Sequence, residues 1–308
     1  MEIVGGKGKQ GKQGFSWLDR FCHQGTFIGS TADWETVRLV LLGVPMDSTT
    51  TFRPGTRFGP TRVREVSYGL EEYSFYLDRS LKDVEYYDAG DIPVVFGDVD
   101  TTLGIIKEVL AETLALGKLP VLIGGEHLIS LPVIDAMAEK YEQLKILHFD
   151  AHADLRDEYL GQRFSHATVM RRVADRIGPH NIYQFGMRSG ADLEFCFGYQ
   201  QTNFYPDAIL EPFRDCLLEL GQYPVYVTID IDVVDPAYAP GTGSPEPMGC
   251  SSRELLEVVH LLGCLNVVGV DIVELSPPLD HSDITSILVA KLVRETLLSL
   301  GSSNIAAG

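Results

Sequence analysis

Short apolar runs recur along the chain at residues 37–45, 84–87, 120–123, 145–150, 181–185, 225–232 and 266–273. Their length and their Val, Ile and Leu content predict strands. Between them, residues 98–116, 252–262 and 283–300 carry apolar side chains at helical spacing, and Asp283 stands where it would cap the last of these helices. Alternation of strand and helix over most of the chain predicts an α/β fold, with a mainly parallel sheet covered by helices on both faces. No internal repeat or low-complexity linker divides the pattern. Residues 35–308 therefore read as a single domain. Residues 1–34 read as an N-terminal extension, partly flexible because its start is rich in glycine and lysine. The Gly6-Lys7-Gly8 stretch has no strand before it, which argues against a nucleotide-binding loop.

The polar positions are ordered too. In open parallel sheets, function sits beyond the carboxyl ends of the strands. Gly124-Gly125-Glu126-His127 follows the run at 120–123, and Asp150, His152 and Asp154 follow the run at 145–150. Arg188 follows 181–185, Asp230 and Asp232 end 225–232, and Glu274 follows 266–273. Residues two apart on a strand point to one face, so Asp150, His152 and Asp154 are expected to converge, as are Asp230 and Asp232. With His127 they make six candidate ligands. Carboxylates with imidazoles suit manganese, zinc or iron better than softer metals. Six are too many for one tetrahedral zinc, so two metals sharing carboxylates fit better. A water between two such ions becomes a nucleophile at neutral pH. Two dications, four aspartates and a hydroxide leave about one negative charge, which favours a cationic electrophile. His148 shares the strand face but lies deeper, as a core or supporting residue. Residues 236–249 hold too many prolines and glycines for helix or central strand, so they are expected to form a stiff wall beside the site.

Composition narrows the partners. The net charge of −18 lacks the basic footprint of a nucleic-acid binder and mildly favours cationic substrates. Hydrophobic content of 45% and charged content of 22% are ordinary for a soluble globular protein. No apolar run is long enough to span a membrane. The first residues lack the apolar core of a secretory signal. The five cysteines are scattered without a C-x-x-C pair, which reads as reduced thiols in a cytoplasmic protein, most of them expected to be buried.

Taken together, these motifs resemble the ureohydrolase family, the arginase and agmatinase group. The likeness rests on Gly124-Gly125-Glu126-His127, on Asp150-Ala151-His152-Ala153-Asp154 and on Asp230-Ile231-Asp232-Val233-Val234-Asp235-Pro236 running on through Ala239-Pro240-Gly241-Thr242-Gly243. Arg53-Pro54-Gly55-Thr56-Arg57-Phe58-Gly59-Pro60 is similar to the family's early loop, and the match spans roughly residues 40 to 300. Glu126 departs from the family pattern, which has aspartate there. The resemblance implies a three-layer α/β/α fold, the arginase-like fold, and two manganese ions per subunit. By the same resemblance, His127, Asp150, Asp154 and Asp230 would hold one ion, and Asp150, His152, Asp230 and Asp232 the other. A metal-bridging hydroxide, oriented by Asp154, would attack the guanidinium carbon and release urea and an amine. Glu274 resembles the glutamate that pairs with the guanidinium, and His166 the mobile histidine that passes a proton to the leaving amine. The family further implies a homo-oligomer, a trimer or hexamer.

Substrate choice rests on the loop 155–165. The arginase-like Asn and Ser-Gly-Asn features are missing from it, and Ala191 stands where arginases tend to offer an acidic partner. The loop and Gly186-Met187-Arg188-Ser189 look like agmatinase. The expected reaction is hydrolysis of agmatine, a small cationic guanidino compound, to putrescine and urea. Asp157 and Glu158 are candidates to meet the distal ammonium, with Arg188 a further substrate-side candidate. Guanidinobutyrate or another guanidino acid is the nearest rival, with Arg156 or Arg163 as its cation, and arginine another. A non-catalytic, metal-free binding relative and a single-metal zinc deacetylase are readings of other classes, and the intact ligand set disfavours both.

Overall fold

The computed structural model describes residues 21–22, 25–30 and 33–301. Most of the N-terminal extension, with its expected flexibility and Gly6-Lys7-Gly8, lies outside the described residues. The described part of that stretch packs on the domain: Phe21, Phe27 and Trp34 are buried, and Cys22 bridges to Asp91.

The elements in order are β1 (Leu39–Val44), α1 (Gly59–Ser67), β2 (Tyr73–Ser74), β3 (Arg79–Ser80), β4 (Tyr86–Asp91), α2 (Val99–Ala115) and β5 (Leu119–Gly124). Then come α3 (Ser130–Lys140), β6 (Lys145–Phe149), α4 (Val169–Ile177), β7 (Ile182–Phe185), α5 (Asp192–Gln201) and β8 (Asn203–Tyr205). The chain closes with α6 (Leu210–Leu220), β9 (Pro224–Asp230), α7 (Ser252–Leu261), β10 (Asn266–Val273) and α8 (Ile284–Leu300). β2 and β3 pair as a small antiparallel ribbon. The other eight strands form one sheet in the order β4-β1-β5-β10-β9-β6-β7-β8, and every pairing in it is parallel.

Strand alternation sorts the core into two layers. Leu39, Leu41, Val121, Leu147 and Val227 face one side, packed with residues of α1, α6, α7 and α8. Val40, Leu42, Leu122, Ile146 and Tyr226 face the other, packed with α2, α3 and α4. This is the expected three-layer α/β/α arrangement. Local signals start the helices: the Asp98 carboxylate accepts from Thr101 N at 3.0 Å, and Ser251 and Glu254 form a capping box.

Some local expectations are corrected. The strand expected at 84–87 is β4, shifted toward its polar end. Asp88, Gly90 and Asp91 look like turn residues, but Arg64 pairs with both buried carboxylates within the sheet. Asp283 precedes α8 without capping it: its carboxylate pairs with Arg62. Asp280 does the capping instead, accepting from Ser286 N at 2.7 Å and Thr285 N at 3.3 Å. All five cysteines are free, and Cys22, Cys196 and Cys264 are exposed while Cys216 and Cys250 are buried.

Candidate metal centre

Four neighbouring strands, β5, β10, β9 and β6, deliver the site at their carboxyl ends. His127 follows β5, Glu274 follows β10, Asp230 ends β9 and Asp150 follows β6. The two stretches do converge, but turns rather than the strand pleat bring them together. β6 stops at Phe149, and Asp154 has a left-handed backbone at φ 53. After Asp230 the chain winds into a short 3-10 turn, with the Asp230 carboxylate accepting from Asp232 N at 2.9 Å. Glu274 is also left-handed, at φ 63. For non-glycine residues such a backbone costs about 1–3 kcal/mol and gathers at functional sites. Gly125 has a packing reason: a Cβ there would sit 1.9 Å from the Met46 carbonyl oxygen.

His127 Nδ1 lies 3.1 Å from Asp150 Oδ2, 3.3 Å from Asp154 Oδ2 and 3.5 Å from Asp230 Oδ2. His152 Nδ1 lies 2.9 Å from Asp232 Oδ2 and 3.6 Å from Asp150 Oδ1. Two ligand groups thus share Asp150: one with His127 and Asp154, the other with His152 and Asp232. His148 takes the supporting place expected of it. It is fully buried, its Nε2 meets Asp150 Oδ2 at 2.8 Å, and its Nδ1 meets Gln184 Nε2 at 3.0 Å. On the far side of His127, Nε2 meets Thr228 Oγ1 at 2.9 Å, and that hydroxyl donates to Asp271 Oδ1 at 2.5 Å. A histidine oriented from behind by a hydroxyl and a carboxylate is typical of a metal ligand.

The electrostatics suit cations. Burial, then the neighbouring carboxylates, push Asp230 well above the usual carboxylate range, and burial with Asp150 does the same for Asp154. Burial raises Asp232 too, against the pull of His152. Burial also opposes charge on His152 and His127, yet the surrounding carboxylates outweigh it and hold both imidazoles above their ordinary value. Among the described residues, no lysine or arginine pairs with these aspartates. His127 Nδ1 is buried with no well-formed hydrogen bond. Buried acids crowded around an unsatisfied imidazole nitrogen fit a pair of divalent ions.

A cleft of about 300 Å³ opens over the cluster. Asp154, His166, Glu274 and the inner faces of His127 and His152 line it, with Asp230 and Asp232 at the floor. Glu274 Oε1 accepts from His127 N at 2.8 Å. Burial, then the charge of Glu126, push the Glu274 carboxyl up to about 8, so an incoming guanidinium would relieve it. Tyr159 meets the His166 ring edge-on at 5.9 Å between centroids. Burial keeps His166 below the ordinary imidazole value.

Residues 37–299 match the family model named Arginase, the arginase family. The chain belongs to the arginase family. Agmatinase of Bacillus anthracis is 51% identical over 275 residues, covering 88% of this chain and 95% of the relative. Agmatinase of Bacillus subtilis is 50% identical over the same length, with the same coverage. The solved structure of agmatine ureohydrolase of Thermoplasma volcanium superposes with a TM-score of 0.81 at 29% identity, over 91% of this chain and 95% of that one. This arginase-family chain is therefore a hydrolase acting on a guanidino compound, and the family's binuclear metal centre corresponds to its His and Asp cluster.

The residues considered for the substrate's distal end fall elsewhere. Asp157 pairs with Arg172 at 2.5 Å, Glu158 is exposed, and neither lines the cleft. Arg188 donates to the backbone carbonyls of Asp232 and Glu246 at 2.7 Å each, and to those of Val233, Gly186 and Pro247. It pins the proline-rich loop to the strand end that bears Asp232. The cleft is lined instead by Thr50, Thr51, Phe52, Arg156, Tyr159, Ser189, Gly190, Glu194 and Thr242 to Ser244. The proline-rich loop was legible as a wall, and Thr242 to Ser244 from it line the cleft. Glu194 was missed, although its place in the first turn of α5, three residues after Ala191, marked it as a carboxylate at a helix start.

Proposed function

We propose that the protein hydrolyses agmatine to putrescine and urea in the cytoplasm, using two manganese ions per subunit. The single observation that carries the substrate choice is the charge of the cleft. Among the described residues, Arg156 is the one lysine or arginine lining it, and its Nε is 3.1 Å from the buried Glu194 carboxylate. A substrate carboxylate would find no unpaired lysine or arginine there among the described residues, whereas a cationic chain meets a cleft whose unpaired charges are acidic. The agmatinases of about half-identical sequence support the same reading.

His127, Asp150, Asp154 and Asp230 would hold one ion, and Asp150, His152, Asp230 and Asp232 the other. Bound ions supply a water acidic enough to act as a nucleophile at neutral pH. Glu274 pairs with the planar guanidinium and sets its carbon over the cluster. Asp154 accepts a hydrogen bond from the attacking water and turns its lone pair toward that carbon. The water oxygen bonds to that carbon as its proton passes to Asp154, and the bond from the carbon to the substituted nitrogen then breaks. His166, its ring beside Tyr159, passes a proton to that nitrogen, so the amine leaves as putrescine and the carbon as urea. The family resemblance supports assembly as a trimer or hexamer.

A substrate panel tests the reading. Manganese-loaded protein is given agmatine, arginine, guanidinobutyrate, guanidinopropionate and formiminoglutamate, and urea is followed, with formamide measured for the last. Agmatine should lead arginine and the guanidino acids by a wide margin in kcat/KM. Equal or reversed rates would sink the assignment.

A further inference from the structure

His166 is carried on a turn closed by its own side chains: Ala167 N donates to Ser165 Oγ at 3.2 Å and Ser165 N to Thr168 Oγ1 at 3.0 Å. The turn is joined to the early loop through a side chain outside the cleft lining. Thr49 Oγ1 accepts a hydrogen bond from His166 N at 3.1 Å. The same hydroxyl donates to Glu126 Oε2 at 2.6 Å, and Thr49 N is 3.0 Å from both Glu126 oxygens. Glu126 itself is fully buried.

The polarity of this chain follows from its ends. A hydroxyl has one proton to give. Here that proton goes to Glu126 Oε2, and the Thr49 lone pairs face the His166 N–H, which can only donate. The 2.6 Å bond to the buried Glu126 fixes the rotor that holds the His166 backbone. Glu126 stands where the family pattern has aspartate, and both its carboxylate oxygens lie within 3.0 Å of Thr49 N. We propose that Thr49, held by Glu126, is a positioning residue that sets His166 over the cleft for proton transfer to the leaving amine. This rests on the role given to His166 above. Thr49 lies outside the cleft lining, and its hydroxyl meets Glu126 and His166, so it acts through His166.

A double-mutant cycle on the manganese-loaded enzyme tests this, with urea release from agmatine, bound manganese and Tm measured for each variant. Thr49→Val should lower kcat about tenfold, with KM, bound manganese and Tm near those of the wild type. Thr49→Ser, which keeps the hydroxyl, should restore kcat to within about twofold. In a His166→Asn background, Thr49→Val should change kcat by less than about twofold. An equal loss in both backgrounds, with His166→Asn itself strongly impaired, overturns this inference and leaves the role of His166 standing. A fully active His166→Asn overturns the role of His166 itself, and this inference with it. Should Thr49→Val fold poorly, Thr49→Ala is read in the same cycle with the same outcomes.

Discussion

The protein buries two groups of carboxylates and treats them in opposite ways. At the edge of the sheet, Asp88 and Asp91 lie under Arg64, whose guanidinium grips Asp88 with Nε at 2.8 Å and Nη2 at 2.9 Å and reaches Asp91 with Nη1 at 2.5 Å. All three side chains are nearly inaccessible, at 1%, 0% and 3% exposure. At the centre, Asp150, Asp154, Asp230 and Asp232 crowd together with imidazoles and, among the described residues, no lysine or arginine paired to them. The first group is complete within the chain. The second is not, and its missing charge is what divalent ions would supply. A buried acid with its own arginine reads as architecture, and a cluster of buried acids without one as a binding site.

That contrast can be broken by substitution. Asp230→Asn should lower kcat for agmatine by roughly 10³-fold, yet raise the Tm of metal-free protein, because it removes one of several repelling buried charges. A lowered Tm in the metal-free state would contradict the electrostatic account. Arg64→Met should cost about 3–5 kcal/mol of stability, equally with and without manganese, because it strands Asp88 and Asp91. Chemical unfolding measured in both states checks this, and a manganese-dependent loss would blur the contrast.

A third buried acid sharpens it through pH. Burial works against charge on Glu295, but His260, Ser74 and Arg294 outweigh it and hold the carboxyl down to about 2. A depressed carboxylate contributes stability that is fully present above its unfolded value and is lost as pH falls through its folded value. Unfolding measurements should therefore show a loss of roughly 3 kcal/mol between about pH 5 and pH 2 that Glu295→Gln largely removes. An unchanged acid limb in that variant would contradict the shift. Thr228→Val, behind His127, should weaken manganese affinity about 10- to 100-fold with a small change in Tm, as read by metal titration. Smallest of all, Asp157→Ala and Glu158→Ala should leave KM for agmatine nearly unchanged, since neither carboxylate lines the cleft.

The sequence carried the sheet, its parallel sense and the acids and histidines that gather at the strand ends, because strand runs and acid-histidine motifs are local in the chain. It misplaced β4 because Asp88 and Asp91 look like turn residues until Arg64, on α1, is seen beside them. Asp157 and Arg188 looked like free charges for the same reason. Their partners, Arg172 and the carbonyls of the proline-rich loop, lie 15 to 59 residues away. Convergence of Asp150, His152 and Asp154 was foreseen from strand alternation, but the left-handed backbone at Asp154 achieves it. The Thr49 link to Glu126 and His166 spans 77 and 117 residues and no periodicity signals it.

The most direct test of the central claim is metal stoichiometry. Metal-free protein is dialysed against excess manganese, freed of unbound ion, and its metal per chain is measured by atomic emission. Wild type should retain two manganese ions per chain and Asp230→Asn fewer, while Arg64→Met, if folded, should retain both. A wild-type chain that holds no manganese, or an Asp230→Asn chain that holds as much as wild type, would contradict the account.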